Sequence, residues 1–125
     1  MPGGNTRRYA LTQGETMQDK VRERIAGYLG IAQRAGKIAA GDAAAADALV
    51  RKKAFLLVLA EDAAAQVKAE LTELAGDQLP VLYWPDKVEL GRIVGKSRRG
   101  AIAVLDEGFA RAIKRVLVEE SEPSA

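Results

Sequence analysis

The sequence predicts an α/β protein, a three-layer α/β/α sandwich around a four-stranded sheet that is mostly parallel or mixed. Three observations support this fold class. Segments with a helical period of apolar residues alternate with short apolar runs, and the connections between them are short. The 125 residues suit one domain with a substantial core. Such alternation is typical of helices packed on both faces of a sheet.

The helices are indicated by apolar residues three or four positions apart and by the residues that flank them. In the first helix Val21, Ile25 and Leu29 share one face, and Gly36 is an expected end signal. We expect helices at residues 19–36, 43–52, 63–75, 89–94 and 107–119. Aspartates precede three of them as expected N-caps: Asp42, Asp86 and Asp106. The expected core positions of the second and third helices are Ala46, Leu49, Val50, Val67, Leu71 and Leu74.

Four apolar runs between these helices are the expected strands, at residues 37–41, 55–60, 80–84 and 101–105. Six consecutive apolar residues at 55–60 predict a central strand that is covered on both faces. Glu61 and Asp62 after it are interpreted as the start of the next helix, where acids are favourable. Tyr83 and Trp84 are interpreted as core residues of the third strand rather than as base-stacking side chains.

The chain ends are polar and show no period. We expect a mobile N-terminal tail at residues 1–18, a single domain at 19–119 and a C-terminal tail at 120–125. No run of 18 apolar residues occurs, which argues against a membrane span, and cytoplasm is the default location.

Composition limits the chemistry. The chain has neither cysteine nor histidine, which excludes disulfides, Ser-His-Asp and Cys-His catalysis and histidine-based metal sites. This lowers the expectation of enzyme activity, because acid–base catalysis would have to use Asp, Glu, Lys or Tyr, and we expect no cofactor and no metal. The net charge of +2 is too small to drive nucleic-acid binding by itself, so such binding must come from local clusters of cations.

The densest such cluster lies between a helix and a strand. Three cations, Lys96, Arg98 and Arg99, stand between Gly95 and Gly100. Backbone N–H groups and cationic tips in such a loop can converge on phosphate oxygens. Loops that lead from a helix into a strand are expected to gather on one rim of the sheet, which would bring Lys37 beside this cluster. The alternative interpretation is two solvated basic loops.

Residues 91–97, GRIVGKS, also resemble a nucleotide-binding P-loop. The spacing is one residue short of the pattern, and here a helix leads into the loop and a strand leaves it. A P-loop has the opposite order, so that its helix N-terminus faces the phosphates. Nucleotide hydrolysis is therefore disfavoured, and any action on a phosphorylated small molecule would be revealed by nucleotide-induced thermal stabilisation.

Three stretches, at residues 29–42, 54–62 and 79–110, are distinctive in combination. Together they resemble the kink-turn RNA-binding ribosomal protein family of the L-seven-Ae and L-thirty-e type, and within it the bacterial YlxQ-like branch. The likeness extends over residues 20–118. The resemblance implies an α/β/α sandwich that binds RNA without catalysis. It also implies that the N-terminus of the second helix and the loop after the fourth helix form the RNA site.

In the family, a Gly-x-Asn-Glu-x-x-Lys motif on the second helix reads the RNA. Its glycine matches Gly41, but Ala43, Ala44 and Asp47 replace the other three residues. Alanine has no group that can bond a base edge, and Asp47 repels phosphate.

We therefore expect structured or ribosomal RNA to be bound mainly through its phosphate backbone, in a cytoplasmic ribonucleoprotein, with the kink-turn as one possible target. The residues assigned to RNA binding are Lys37, Gly41, Asp42, Ile93, Val94, Gly95, Lys96, Ser97, Arg98 and Arg99. The alternative is a protein-interaction module of the same fold that has lost RNA binding and packs its alanine-rich second helix on a partner protein.

Overall fold

The computed structural model describes residues 8–10 and 16–121, which form five strands and five helices. Each predicted helix and strand is present. In chain order the elements are β1 Arg8–Ala10, α1 Thr16–Arg34, β2 Ile38–Ala40, α2 Asp42–Val50, β3 Leu56–Ala60, α3 Ala65–Ala75, β4 Val81–Trp84, α4 Lys87–Ile93, β5 Ala101–Val104 and α5 Glu107–Ser121.

The sheet is mixed, with the strand order β1-β4-β3-β5-β2. The central strand β3 runs parallel to β4 and antiparallel to β5, so that Val58 stands opposite Leu82 on one side and Ile102 on the other. The edge strand β2 is antiparallel to β5. These four strands are the predicted ones.

A fifth strand, β1, was not predicted. It pairs in parallel with β4 at the other edge of the sheet. Part of the segment predicted as an N-terminal tail is therefore structured, because residues 8–10 form β1 and residues 16–18 belong to α1. Three residues are too short a strand to produce a period in the sequence. At the other end α5 continues to Ser121, two residues past the predicted end of the domain.

Two layers of core lie on the two faces of the sheet. Leu56, Val58 and Ala60 of β3 face one layer, to which α1, α4 and α5 contribute their buried residues. Leu57 and Leu59 face the other, which α2 and α3 cover. All five residues of β3 are buried, as expected for a strand covered on both faces. The predicted three-layer α/β/α sandwich is therefore confirmed.

Some details of α2 and α3 differ from the prediction. Helix α2 buries Ala45, Ala48 and Leu49, while Val50 is 64% exposed, so its buried face is turned slightly from the predicted one. Helix α3 begins only at Ala65, which leaves Glu61 and Asp62 in the preceding loop rather than at its start. Its predicted core residue Leu74 is 39% exposed.

Two of the three predicted caps form. The Asp86 side chain accepts the Glu89 N–H at 2.7 Å, and the Asp106 side chain accepts the Phe109 N–H at 3.0 Å. Asp42 is not a cap, because it is the first residue of α2 and Gly41 holds the N-cap position with φ 113°. The positive φ explains the glycine, since side chains disfavour that backbone region.

Within the described residues no helix is long and apolar enough to cross a membrane.

Candidate nucleic-acid interface

The strands bring the predicted site to one rim of the sheet, here called the near rim, which contains Gly41, Ala60 and Gly100. Gly41 follows β2 and donates its N–H to the Ala101 carbonyl at 2.8 Å, while Ala60 at the end of β3 donates to the Gly100 carbonyl at 2.8 Å. The N-terminus of α2 and the basic loop before β5 are therefore neighbours. Between them lies a shallow groove of about 480 Å³, lined by residues 40–44 and 98–100.

The loop at residues 95–100 is held at its beginning by the end of α4. Gly95 has φ 72° and donates its N–H to the Arg92 carbonyl, and the next residue, Lys96, donates to the Gly91 carbonyl at 2.8 Å. These two bonds form a Schellman motif, which explains why a glycine stands at position 95. Gly91 has a different role, because the Ser97 carbonyl group packs directly against its Cα and leaves no room for a side chain.

The loop is also held further along, where the Arg99 N–H donates to the Lys87 carbonyl at 3.1 Å. Three backbone N–H groups, those of Gly95, Lys96 and Arg99, are therefore already bonded to carbonyl oxygens. The expectation that backbone N–H groups in this loop converge on phosphate is wrong for these three. The same bonds argue against the P-loop interpretation of Gly91 to Ser97, because a P-loop binds phosphate with such groups.

The cationic side chains of the loop are available. Lys96, Ser97 and Arg98 are exposed, and Arg99 is half-buried. Within residues 19–119 no carboxylate forms an ion pair with Lys96, Arg98 or Arg99. Anions that reach the near rim therefore meet cations that are not already neutralised.

The other wall of the groove is the first turn of α2. No side chain caps this helix end within the described part of the chain, so its first N–H groups point outward with the positive end of the helix dipole. Ala43 and Ala44 expose only methyl groups here. Asp47, one turn further, forms an ion pair with Arg51 with 3.0 Å between Oδ1 and Nε, which offsets its repulsion of phosphate.

Not every predicted residue lies at this rim. Lys37 accepts the Leu105 N–H at its carbonyl oxygen at 2.8 Å, which fixes it at the opposite end of β5. Lys37 precedes β2 and Gly41 follows it, so the two are about 13 Å apart along the strand. Because β2 and β5 are antiparallel, Lys37 lies beside the end of β5, away from the basic loop that precedes β5. The prediction that Lys37 lies beside the basic loop is therefore wrong. We call its end of the sheet, with Phe55 and Leu105, the far rim.

Two apolar residues of the predicted site are mainly structural. Val94 is fully buried in the core, so its side chain is not available to a ligand, and the expected contact role is wrong for it. Ile93 is half-buried and packs against the same core. Asp42, by contrast, is exposed. Its carboxylate lies next to Gly100, since a β-carbon added to that glycine would be 3.4 Å from the Asp42 Oδ1 atom.

Two side-chain hydrogen bonds that stabilise α4 and the strand before it were not predicted from the sequence. The Asp62 carboxylate accepts the Lys87 N–H at 2.9 Å and so stabilises the N-terminus of α4 from another loop. The Glu89 carboxylate accepts the indole N–H of the buried Trp84 at 2.8 Å. Neither contact has a local sequence signal, because each joins residues from different elements of the fold.

Comparison with known proteins gives consistent matches. The family model described as the ribosomal protein L7Ae/L30e/S12e/Gadd45 family matches residues 23–114. A Bacillus subtilis (strain 168) protein named RNA-binding protein YlxQ is 31% identical over 90 residues, covering 71% of this chain and 90% of that protein. A protein of the same name from Enterococcus faecium is 24% identical over 102 residues, covering 81% of this chain and 98% of that one.

Two solved structures have the same fold. A Bacillus halodurans protein of unknown function has a TM-score of 0.71 at 30% identity, covering 76% of this chain and 97% of that one. The Giardia lamblia 15.5kD RNA binding protein has a TM-score of 0.70 at 16% identity, covering 80% of this chain and 87% of that one. The family match and the Bacillus subtilis relative confirm the resemblance seen in the sequence, and the chain belongs to the ribosomal protein L7Ae/L30e/S12e/Gadd45 family, in its bacterial YlxQ-like branch.

Proposed function

We propose that this chain binds structured RNA at the near rim, in the groove between the N-terminus of α2 and the loop at residues 95–100. The observation that carries the proposal is a set of cations, Lys96, Arg98 and Arg99, that have no carboxylate partner within residues 19–119. They stand on a hydrogen-bonded loop beside a helix N-terminus that no described side chain caps. Both features attract phosphate. Two YlxQ relatives and a Giardia protein of the same fold carry names that describe RNA binding.

The contacts are directed mainly to the phosphate backbone. The exposed first turn of α2 offers methyl groups where a base reader needs donors and acceptors, and the exposed loop cations bind phosphate oxygens of any sequence. Structured or ribosomal RNA, including kink-turns, is the proposed ligand class, and a cytoplasmic ribonucleoprotein is the proposed setting. Family membership supports the prediction that the chain is not an enzyme.

A fluorescence-anisotropy titration over a series of salt concentrations tests this proposal. The probes are a standard kink-turn RNA and the same RNA with its sheared G·A pairs replaced. We expect similar, salt-sensitive binding to both. Changing Lys96, Arg98 and Arg99 together to alanine should weaken both complexes and reduce the slope of log K against log salt by roughly 2–3, because each phosphate contact contributes about 0.7–0.9.

The far rim offers a matched control. Lys37, Lys53 and Lys114, which lines a pocket together with Phe55, are three cations there, and the triple alanine variant changes the net charge by the same amount. It should retain most of the affinity and of the salt slope. Equal losses in the two triple variants would mean that net charge, not the near rim, determines binding, and the site would be wrongly assigned.

The alternative function, a protein-interaction module, has one observation in its favour. Three exposed large apolar side chains, Val50, Phe55 and Leu74, lie at the end of α2, the start of β3 and the end of α3. If neither RNA binds at low salt, the RNA proposal fails and this surface becomes the better candidate. A co-purifying protein or an apparent size that rises with concentration would then support it.

A further inference from the structure

Three polar side chains belong to the residues that line the groove at the near rim: Asp42 on the helix, and Arg98 and Arg99 on the loop. The helix wall presents Ala43 and Ala44, which have no hydrogen-bonding side chain. Arg99 stands opposite them and lines the same groove. We infer that Arg99 reads a guanine in the bound RNA and is the main base-specific contact of this chain. This inference rests on the proposed RNA-binding function.

Arg99 is held in place more firmly than the other loop cations. Its backbone N–H donates to the Lys87 carbonyl at 3.1 Å, and its Nη1 group donates to the Arg98 carbonyl at 2.7 Å. The side chain lies over Gly41, where a β-carbon would be 3.8 Å from both its Cδ and Nε atoms. A guanidinium that is already oriented loses less freedom when it binds than a mobile one does.

The donors that remain suit guanine. A guanidinium has five N–H donors, and the Arg98 carbonyl takes one of those on Nη1. The others include the Nε and Nη2 groups, which form a two-pronged edge. Guanine presents two acceptors, O6 and N7, on its Hoogsteen edge, and a two-pronged arginine contact to them is the commonest specific contact to a base.

Position separates Arg99 from its neighbours. Lys96 lies outside the set of residues that line the groove, and Arg98 lines it but is exposed to solvent, whereas Arg99 is half-buried there. In a regular RNA helix the major groove is too deep and narrow for side chains. The guanine must therefore be in a bulge or an internal loop, outside the sheared G·A pairs, where its Hoogsteen edge is open.

The test combines protein variants with a modified base. Arg99→Lys retains the positive charge but removes the two-pronged N–H edge of the guanidinium. Arg98→Lys is the matched control at the preceding residue. The probe is the kink-turn RNA with one guanine at a time replaced by 7-deazaguanine, which lacks the N7 acceptor. We expect one such replacement to weaken binding by the unmodified protein about 5- to 100-fold. Arg99→Lys should bind the modified and unmodified RNA equally, with an unchanged salt slope, while Arg98→Lys keeps the discrimination.

Two results would overturn the inference while leaving the proposed function intact. One is salt-dependent RNA binding that no 7-deazaguanine replacement weakens. The other is discrimination that is the same in Arg99→Lys as in the unmodified protein. Absence of RNA binding by the unmodified protein would refute the proposed function and the inference together. Thermal unfolding of each variant checks the fold, and we expect no shift because the Arg99 side chain forms no ion pair within the described residues.

Discussion

Gly91→Ala is the sharpest test of how the basic loop is held. Gly91 is buried near the end of α4, and the backbone of the loop packs directly on its Cα. A β-carbon there would overlap the Ser97 carbonyl oxygen and would lie 2.5 Å from its carbonyl carbon, where two carbons need about 3.5 Å. The loop backbone would therefore have to move by at least about 1 Å.

Two opposing effects set the size of the change. Alanine is better than glycine inside a helix by about 1 kcal/mol, which favours the variant. Against this, packing an extra methyl group against the backbone lowers the free energy of unfolding by about 1–3 kcal/mol. Loss of the loop hydrogen bonds to the Gly91 and Lys87 carbonyls would lower it by about 1 kcal/mol each. We expect a net loss of about 1–3 kcal/mol, which corresponds to a fall in Tm of roughly 4–12 °C.

The chain contains a matched control in α1. Gly27 is also inside a helix, but it is exposed and a β-carbon there would meet nothing within 4 Å. Gly27→Ala should therefore raise the free energy of unfolding by about 0.5–1 kcal/mol. Urea and thermal unfolding measure both variants. At a temperature where both variants are folded, only Gly91→Ala should lose RNA affinity, by about tenfold. The reason is that the cationic side chains of the loop at residues 95–100 move relative to α2. A Gly91→Ala protein as stable and as tight-binding as Gly27→Ala would refute the reasoning.

Three further predictions concern positions outside this contact. Lys52 has φ 59° at the end of α2, so Lys52→Gly should raise the free energy of urea unfolding by about 0.5 kcal/mol; a loss of stability would show that the strain is absent. Asp86→Ala removes the cap of α4 and should lower the thermal unfolding free energy by about 1 kcal/mol, and an unchanged Tm would contradict the capping role. Installing the family motif, as Ala43→Asn, Ala44→Glu and Asp47→Lys together, should tighten kink-turn binding in anisotropy titrations at least tenfold. That gain should vanish when the G·A pairs are replaced, and a gain on both RNAs would indicate added charge alone.

Much of the fold was predictable because the dominant signals are local. The continuous apolar run of β3 and the period of Val21, Ile25 and Leu29 each identify an element without knowledge of the rest. The caps Asp86 and Asp106 were also readable, since a capping carboxylate bonds an N–H only three residues away. The three-residue strand β1 was missed because it is defined by its pairing with β4 and not by a pattern of its own.

The site was predictable only in part, because its arrangement depends on strand direction. The loop cations were evident as a cluster, but the position of Lys37 depends on whether β2 runs parallel or antiparallel to β5. Parallel strands would have brought Lys37 to the near rim, and the observed antiparallel pairing separates it. The contact of Asp62 with the N-terminus of α4 spans 25 residues, and no sequence spacing indicates it.

Charge alone does not distinguish the two rims, since the far rim also has cations in Lys37 and Lys53. The difference lies in the helix ends that accompany them. At the far rim these lysines follow the C-termini of α1 and α2, whose carbonyl ends carry partial negative charge that the cations offset. At the near rim Arg98 and Arg99 lie beside the N-terminus of α2, where the dipole adds to their positive field. Helix α4 ends there, and its Gly91 and Arg92 carbonyls already accept N–H groups of the loop. Helix α5 begins at the far rim, but the Asp106 carboxylate caps it. We therefore expect an equal number of cations to attract phosphate more strongly at the near rim, and the paired triple variants measure that difference directly.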